Sequence, residues 1–220
     1  MAWSYSSLSL FKQCPRKYYH LRVIKDVIEP ETEHLLYGSA VHKAAEEYGR
    51  DGVEIPKKFE FIKPMLDTLL AAPGTPLFEH KMAVTRDFEP CDFDAPEAWW
   101  RGIADLMILQ PKERTALLVD YKTGKSAKYA DTDQLKVLSL AIFAQFPEID
   151  TVKAGLLFVV SREFLEVEVR REDAEQLWSP FVKHVGMLEQ CQENDTWNPL
   201  PNFTCRNYCA VKSCEFNGRR

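Results

Sequence analysis

Asp120 and Lys122 stand two residues apart at the end of an apolar run, in Leu117-Leu118-Val119-Asp120-Tyr121-Lys122-Thr123-Gly124-Lys125. Side chains alternate between the two faces of a β-strand, so residues i and i+2 project together. A carboxylate beside an ammonium at a strand end can do one of two things. It can form an ion pair, worth about 0–1 kcal/mol at a surface, or it can hold a divalent cation beside a scissile phosphate. Asp105 lies in Gly102-Ile103-Ala104-Asp105, near the end of another strand pattern. If the two strands pair antiparallel, their carboxylates converge. Two acids and a backbone carbonyl form a hard oxygen site suited to Mg²⁺ or Mn²⁺. Such an ion polarises a phosphodiester and lowers the pKa of a bound water. Lys122 would then neutralise developing phosphoryl charge or orient the attacking water. His42 follows Gly38-Ser39-Ala40-Val41, whose small residues let a helix approach a sheet and aim the imidazole inward. Gln134 opens the helix after the Asp120 strand and could hold substrate backbone. Singly, His42 reads as a core or surface histidine and Asp105 as a turn cap. Their combination on one helix–strand order is what points to a site.

A second group is the cysteines. Three of the six, Cys205, Cys209 and Cys214, fall in the last sixteen residues as Cys-x₃-Cys-x₄-Cys. In a reducing compartment such grouping fits metal binding better than disulfides. A tetrahedral zinc site or a cubane iron–sulfur cluster needs a fourth thiolate, and Cys14 is the natural candidate. Free thiols in a flexible tail are the plain alternative. Cys91 and Cys191 read as ordinary partly buried cysteines. Directly after Cys14 come Arg16, Lys17, Tyr18, Tyr19, His20 and Arg22. Cations interleaved with rings suit single-stranded DNA, charge for phosphates and rings for stacking. They equally suit an amphipathic helix with Tyr18 and Leu21 in the core. Trp99, Trp100 and Trp197 read as packing residues.

The elements that must position these groups follow from periodicity. Helical patterns span 4–21, bent at Pro15, then 33–49, closed by Gly49, and 56–71. Strands are expected at 77–88, 99–109 and 115–122, the last two joined by a polar hairpin link at 110–114. A helix over 131–146, a buried strand over 152–161, an edge strand over 164–170 and a helix over 172–193 complete the order. The whole reads as one domain over 1–220. A helical part over 1–72 carries Cys14 and His42, an αβ core covers 75–193, and a cysteine-rich tail covers 194–220. The net charge of −5 argues against coating nucleic acid through bulk charge, while leaving room for a local basic groove. The longest apolar runs are too short to span a bilayer, and the first residues lack a signal-peptide pattern. A cytoplasmic location and no membrane partner are the expectation.

With these residues the chain resembles the PD-(D/E)XK nuclease superfamily, in its RecB-type exonuclease branch. The resemblance covers nearly the whole length. It is carried by Ser6-x-Ser-x-x-x-Phe11-x-x-Cys14-Pro15-Arg16-Lys17-Tyr18, Gly38-Ser39-Ala40-Val41-His42, Gly102-Ile103-Ala104-Asp105, Val119-Asp120-Tyr121-Lys122-Thr123-Gly124, Gln134 and the cysteine cluster. It implies an α/β restriction-endonuclease-like core: a mixed central sheet flanked by helices, with N-terminal helices and a C-terminal cysteine-rich loop. It implies metal ligation by His42, Asp105, Asp120 and the Tyr121 carbonyl, with Lys122 as catalytic lysine. Glu79 on the first strand resembles an acid often found there. RecB-type and CRISPR-adaptation nucleases carry one N-terminal and three C-terminal cysteines around a [4Fe-4S] cluster. Cys14, Cys205, Cys209 and Cys214 would match them, with zinc as the alternative. Two positions depart from the pattern. Leu138 stands where the family often has Tyr, and the middle cysteine is displaced by one. The implied activity is metal-dependent hydrolysis of DNA, single-stranded or at ends. It would serve phage or mobile-element recombination or CRISPR spacer processing, with a helicase or recombination partner, or act as a non-catalytic DNA-binding subunit.

Overall fold

The computed structural model describes residues 2–128 and 130–218. Two compact units divide the chain. One is built chiefly from Thr32–Leu177. The other joins Trp3–Glu31 to the segment from Trp178 onward. The helical segment expected over 1–72 is thus split at residues 31 and 32.

In the first unit, α3 (Glu33–Asp51) starts at Thr32, whose side chain accepts the Leu35 N–H. It ends at Gly52, which adopts φ +68°, the left-handed cap that glycine supplies cheaply. The expected stop at Gly49 is corrected. Gly49 lies inside the helix, where a Cβ would come within 2.2 Å of the Phe78 ring. A 3₁₀ segment (Lys57–Ile62) and α4 (Lys63–Leu70) follow.

The sheet comprises β1 (Thr75–Val84), β2 (Pro90–Cys91), β3 (Trp100–Gln110), β4 (Thr115–Lys122), β5 (Thr151–Phe158) and β6 (Glu163–Arg170), in the order β2-β1-β3-β4-β5-β6. β4 and β5 are parallel, joined through α5 (Asp133–Gln145), and every other pair is antiparallel. This is a mixed sheet flanked by helices, an α/β nuclease-like core. Val41, Ala44 and Ala45 of α3 share a buried cluster with Leu106, Ile108, Val119 and Tyr121. Odd-numbered residues of β4 therefore face α3. Asp120 and Lys122, on alternate positions, meet Gln134 of α5, so that helix covers the other face. The guanidinium of Arg171 donates to the Phe143 and Phe146 carbonyls, 2.9 Å each, and satisfies the otherwise open end of α5. Trp99 and Trp100 are buried, as expected of packing residues.

In the second unit, Ser4 and Ser7 form a capping box at the start of α1 (Tyr5–Gln13). Pro15 opens α2 (Pro15–Tyr18), and a π-helical turn runs over Tyr19–Val23. Most of α6 (Ala174–Glu193) and the short α7 (Thr204–Asn207) belong to this unit as well. Trp3 stacks on Phe181, ring centroids 6.1 Å apart. No helix among the described residues is long and apolar enough to cross a membrane.

Candidate functional site

The site begins where two strands part. β3 and β4 pair as far as Leu106↔Val119. One step further the register would set Asp105 against Asp120, and the ladder stops. Asp105 therefore lies in the middle of β3, and it is the end of pairing rather than the end of the strand that frees its side chain. Its Oδ2 accepts the Tyr121 backbone N–H at 2.8 Å, so a carboxylate stands in for a ladder carbonyl. On the other side of β3, the β1 pairing steps from Phe78↔Leu106 to His80↔Ala104 and skips Glu79. Glu79 has φ +46°. A left-handed non-glycine residue inside a strand costs about 1–3 kcal/mol and is typical of functional sites.

His42 of α3 reaches the same gap. One of its nitrogens, Nε2, lies 2.9 Å from the Tyr121 carbonyl oxygen. A carbonyl can only accept, so Nε2 carries the hydrogen. That leaves Nδ1 facing Asp105 Oδ2 at 3.3 Å. In a neutral imidazole these are two acceptors face to face. The contact is favourable when Nδ1 is also protonated, or when a cation takes both lone pairs. Burial alone would lower the His42 pKa. The hydrogen bond and charge of Asp105, with help from Asp120 and the Tyr121 carbonyl, more than offset that and raise it. The ligand atoms of His42, Glu79 and Asp105 lie within 4.8 Å of one another, the only such set of three among the described residues. Burial and the Asp105 and Glu46 carboxylates push Glu79 up. One imidazole and two carboxylates match the donor types of a Mg²⁺ or Mn²⁺ site.

On the α5 side, Asp120 is buried at 4% exposure. Its Oδ1 accepts from Gln134 Nε2 at 2.6 Å. Its Oδ2 lies 2.7 Å from Lys122 Nζ, an ion-pair contact without hydrogen-bond alignment. Lys122 Nζ also donates to Gln134 Oε1 at 2.9 Å. Burial and the Asp105 charge push Asp120 up to about 6, with Lys122 pulling the other way. The structure therefore brings Asp105, Asp120, Lys122, Gln134 and His42 together, with two differences from expectation. Asp120 is engaged on both oxygens by Lys122 and Gln134. The Tyr121 carbonyl is engaged by His42 Nε2, and Glu79 lies within the same group as His42 and Asp105. A groove of about 700 Å³ opens over the His42, Glu79 and Asp105 side, lined also by His34, Ser39, Lys43 and Thr123. Thr123 meets α3 at Gly38, where a Cβ would sit 3.3 Å from its Oγ1.

In the second unit, Cys14, Cys205, Cys209 and Cys214 line one cavity. The Leu200 and Asn202 backbone N–H groups point at the sulfurs of Cys14 and Cys205, 3.4 Å each. Amides aimed at sulfur stabilise thiolate and are among the hydrogen bonds that tune iron–sulfur sites. No three of these sulfurs lie within 4.8 Å of one another among the described residues, whereas zinc bonds of about 2.3 Å imply sulfur–sulfur edges of about 3.8 Å. The four cysteines share the wall of one cavity.

Tyr18, expected to stack on DNA, is buried at 3% exposure. Its ring is edge-on to Phe11 and stacked on Trp197. Stacking on a base needs an open face, so Tyr18 is a packing residue. Arg16 and Lys17 border the cysteine cavity.

Comparison with known proteins agrees with this architecture. The model of the PD-(D/E)XK nuclease superfamily matches residues 2–214, and the chain belongs to that superfamily. Its fold implies a DNA substrate. Among solved structures, a Eubacterium rectale protein named "Putative exonuclease" is 12% identical, with a TM-score of 0.56 over 94% of this chain and 86% of that one. The structure of SSO0001 is 14% identical with a TM-score of 0.44, over 98% of this chain and 87% of that one. No curated protein matches.

Proposed function

We propose that the chain is a metal-dependent DNA exonuclease of RecB type that hydrolyses phosphodiester bonds in phage or mobile-element recombination and processing. The observation that carries this reading is the contact between His42 Nδ1 and Asp105 Oδ2, two acceptors at 3.3 Å with Glu79 beside them. His42, Glu79 and Asp105 would hold a Mg²⁺ or Mn²⁺ ion, and Asp120 would turn to it on release from Gln134. When bound, the ion supplies Lewis-acid polarisation of a phosphodiester oxygen. The chain's own residues do the rest. Lys122 places a positive charge where phosphoryl charge develops. Gln134 holds Lys122 and Asp120 in register and is positioned to pass its amide to the substrate backbone. The exonuclease preference rests on the sequence resemblance.

A [4Fe-4S] cluster on Cys14, Cys205, Cys209 and Cys214 would act as a staple. It ties positions about 190 residues apart, and closing so long a loop restricts the unfolded chain as a disulfide would. The shared cavity and the two amides aimed at sulfur support this reading.

The test is digestion of end-labelled single- and double-stranded DNA by anaerobically purified protein. It is run in Mn²⁺ and in EDTA, with binding measured alongside. Stepwise loss of label in Mn²⁺ and none in EDTA is expected. Tight binding with no cleavage would make the chain a DNA-binding subunit instead.

A further inference from the structure

The cysteine cavity has a charge pattern that its proposed occupant explains. Besides the four cysteines, two cations, Arg16 and Lys17, line it, and the Glu215 carboxylate, which Arg16 pairs with, lies 3.7 Å from the Cys214 sulfur. The rest of its wall is apolar, amide or hydroxyl, including Leu200, Asn202, Thr204 and Val211. Both cations follow Cys14 on the short helix α2, and both are held in place. Arg16 Nε donates to the Trp197 carbonyl at 3.2 Å, and its Nη1 lies 3.6 Å from Glu215, the residue after Cys214. Lys17 Nζ pairs with Glu29 at 2.7 Å, with 12% of its side chain exposed. Residues that track a DNA strand need free, solvent-facing charge. These two are instead engaged by groups of their own unit, Arg16 by Trp197 and Glu215 and Lys17 by Glu29, although 37% of the Arg16 side chain stays exposed.

We propose that Arg16 and Lys17 serve the cysteine cavity and not nucleic acid: they are positioning residues whose charge offsets the anionic cluster–thiolate group. Four thiolates around a [4Fe-4S] core carry net negative charge, which increases by one on reduction. Lys17 and Arg16, the latter also neutralising the Glu215 carboxylate beside Cys214, favour assembly of that group and favour its reduced form. Net charge at the site is one of the factors that set the potential of such clusters. The inference rests on the cluster reading given above and reassigns two residues that the sequence alone offers to DNA.

The experiment uses the full chain, reconstituted anaerobically with iron and sulfide, as wild type, Arg16→Lys, Arg16→Gln and Arg16→Gln/Lys17→Gln. Cluster content and midpoint potential are read from the visible spectrum. DNA affinity is read across a salt series. The expected result is a midpoint shifted down in Arg16→Gln and further down in the double variant, with Arg16→Lys close to wild type. The slope of log affinity against log salt stays unchanged. Failure of Arg16→Gln to load iron while Arg16→Lys loads it supports the same role. Equal potentials in all four chains overturn the proposal, as does equal failure of both single variants to load. A salt slope that falls by about one per cation removed marks phosphate contacts and also overturns it. A wild type that takes up no iron removes the cluster reading along with this one, and DNA cleavage in Mn²⁺ by that same preparation keeps the nuclease reading separate.

Discussion

Asp105 serves Tyr121 as a ladder partner: its Oδ2 holds the Tyr121 backbone N–H at 2.8 Å, at the point where β3 and β4 separate. The carboxylate is therefore fixed by main chain, and the same oxygen faces His42. One atom holds the fork of the sheet open and presents charge to the groove.

The two duties separate by substitution. Asp105→Asn can keep an acceptor for the Tyr121 N–H but loses the charge. It should fold with near wild-type stability and lose Mn²⁺-dependent DNA digestion by about 10²-fold or more. Asp105→Ala should also lose stability, by about 1–3 kcal/mol, because a buried N–H is left unsatisfied. Urea unfolding beside single-turnover digestion checks both. Equal stability of the two variants would contradict the ladder role.

Glu79 sets function against backbone comfort. Its φ of +46° suits glycine far better than glutamate. Glu79→Gly should leave the melting temperature unchanged or higher, since relief of about 1–3 kcal/mol of strain offsets the flexibility of glycine. It should raise the Mn²⁺ concentration needed for half-maximal thermal stabilisation. A variant that melts lower yet binds Mn²⁺ as wild type would refute both halves.

Stability should depend on pH through the same groups. Burial and Asp105 raise Asp120 from 3.8 to about 6. A group whose folded pKa is raised gives stability that is full below its unfolded value and lost as pH climbs through its folded value. For Asp120 that window runs from about pH 4 to 6, and the loss is on the order of 3 kcal/mol at most. His42, raised from 6.5, acts in the same direction at higher pH. In chelator, the stability of wild type relative to Asp120→Asn should fall across pH 4–6. Mn²⁺ should restore wild type at pH 7–8, where its ligands are deprotonated. A relative stability that rises across that window would reverse the assignment.

Gly102 matters through packing. A Cβ there would come within 2.4 Å of the Trp100 ring and 3.2 Å of Leu138. Gly102→Val should cost about 1–3 kcal/mol by forcing that buried ring aside. A calorimetric scan showing no loss would mean the core yields at this point.

Much of this was legible in the sequence because it is periodic. The alternation that pairs Asp120 with Lys122, the continuous run of β5 and the polar hairpin link each follow from local pattern. What was not legible arises from tertiary contact. β2 is only Pro90 and Cys91, too short for any pattern, and exists through pairing with Ala83 and Val84. Gly49 reads as a helix stop, yet it makes room for Phe78. The left-handed backbone of Glu79 is improbable for its residue type, so no propensity signals it. Arg16, Lys17 and Tyr18 carry DNA-binding composition, but Trp197, 179 residues away in sequence, turns Tyr18 into a core ring. Leu138, where the resemblance leads one to expect tyrosine, is buried and packs near Gly102 of β3.

The most direct measurement is single-turnover digestion of end-labelled DNA in Mn²⁺ by wild type, His42→Ala, Asp120→Asn and Lys122→Met, each verified as folded by circular dichroism. The expected result is stepwise digestion by wild type and a loss of about 10²-fold or more in each variant. Wild-type rates in folded Asp120→Asn and Lys122→Met would contradict the account.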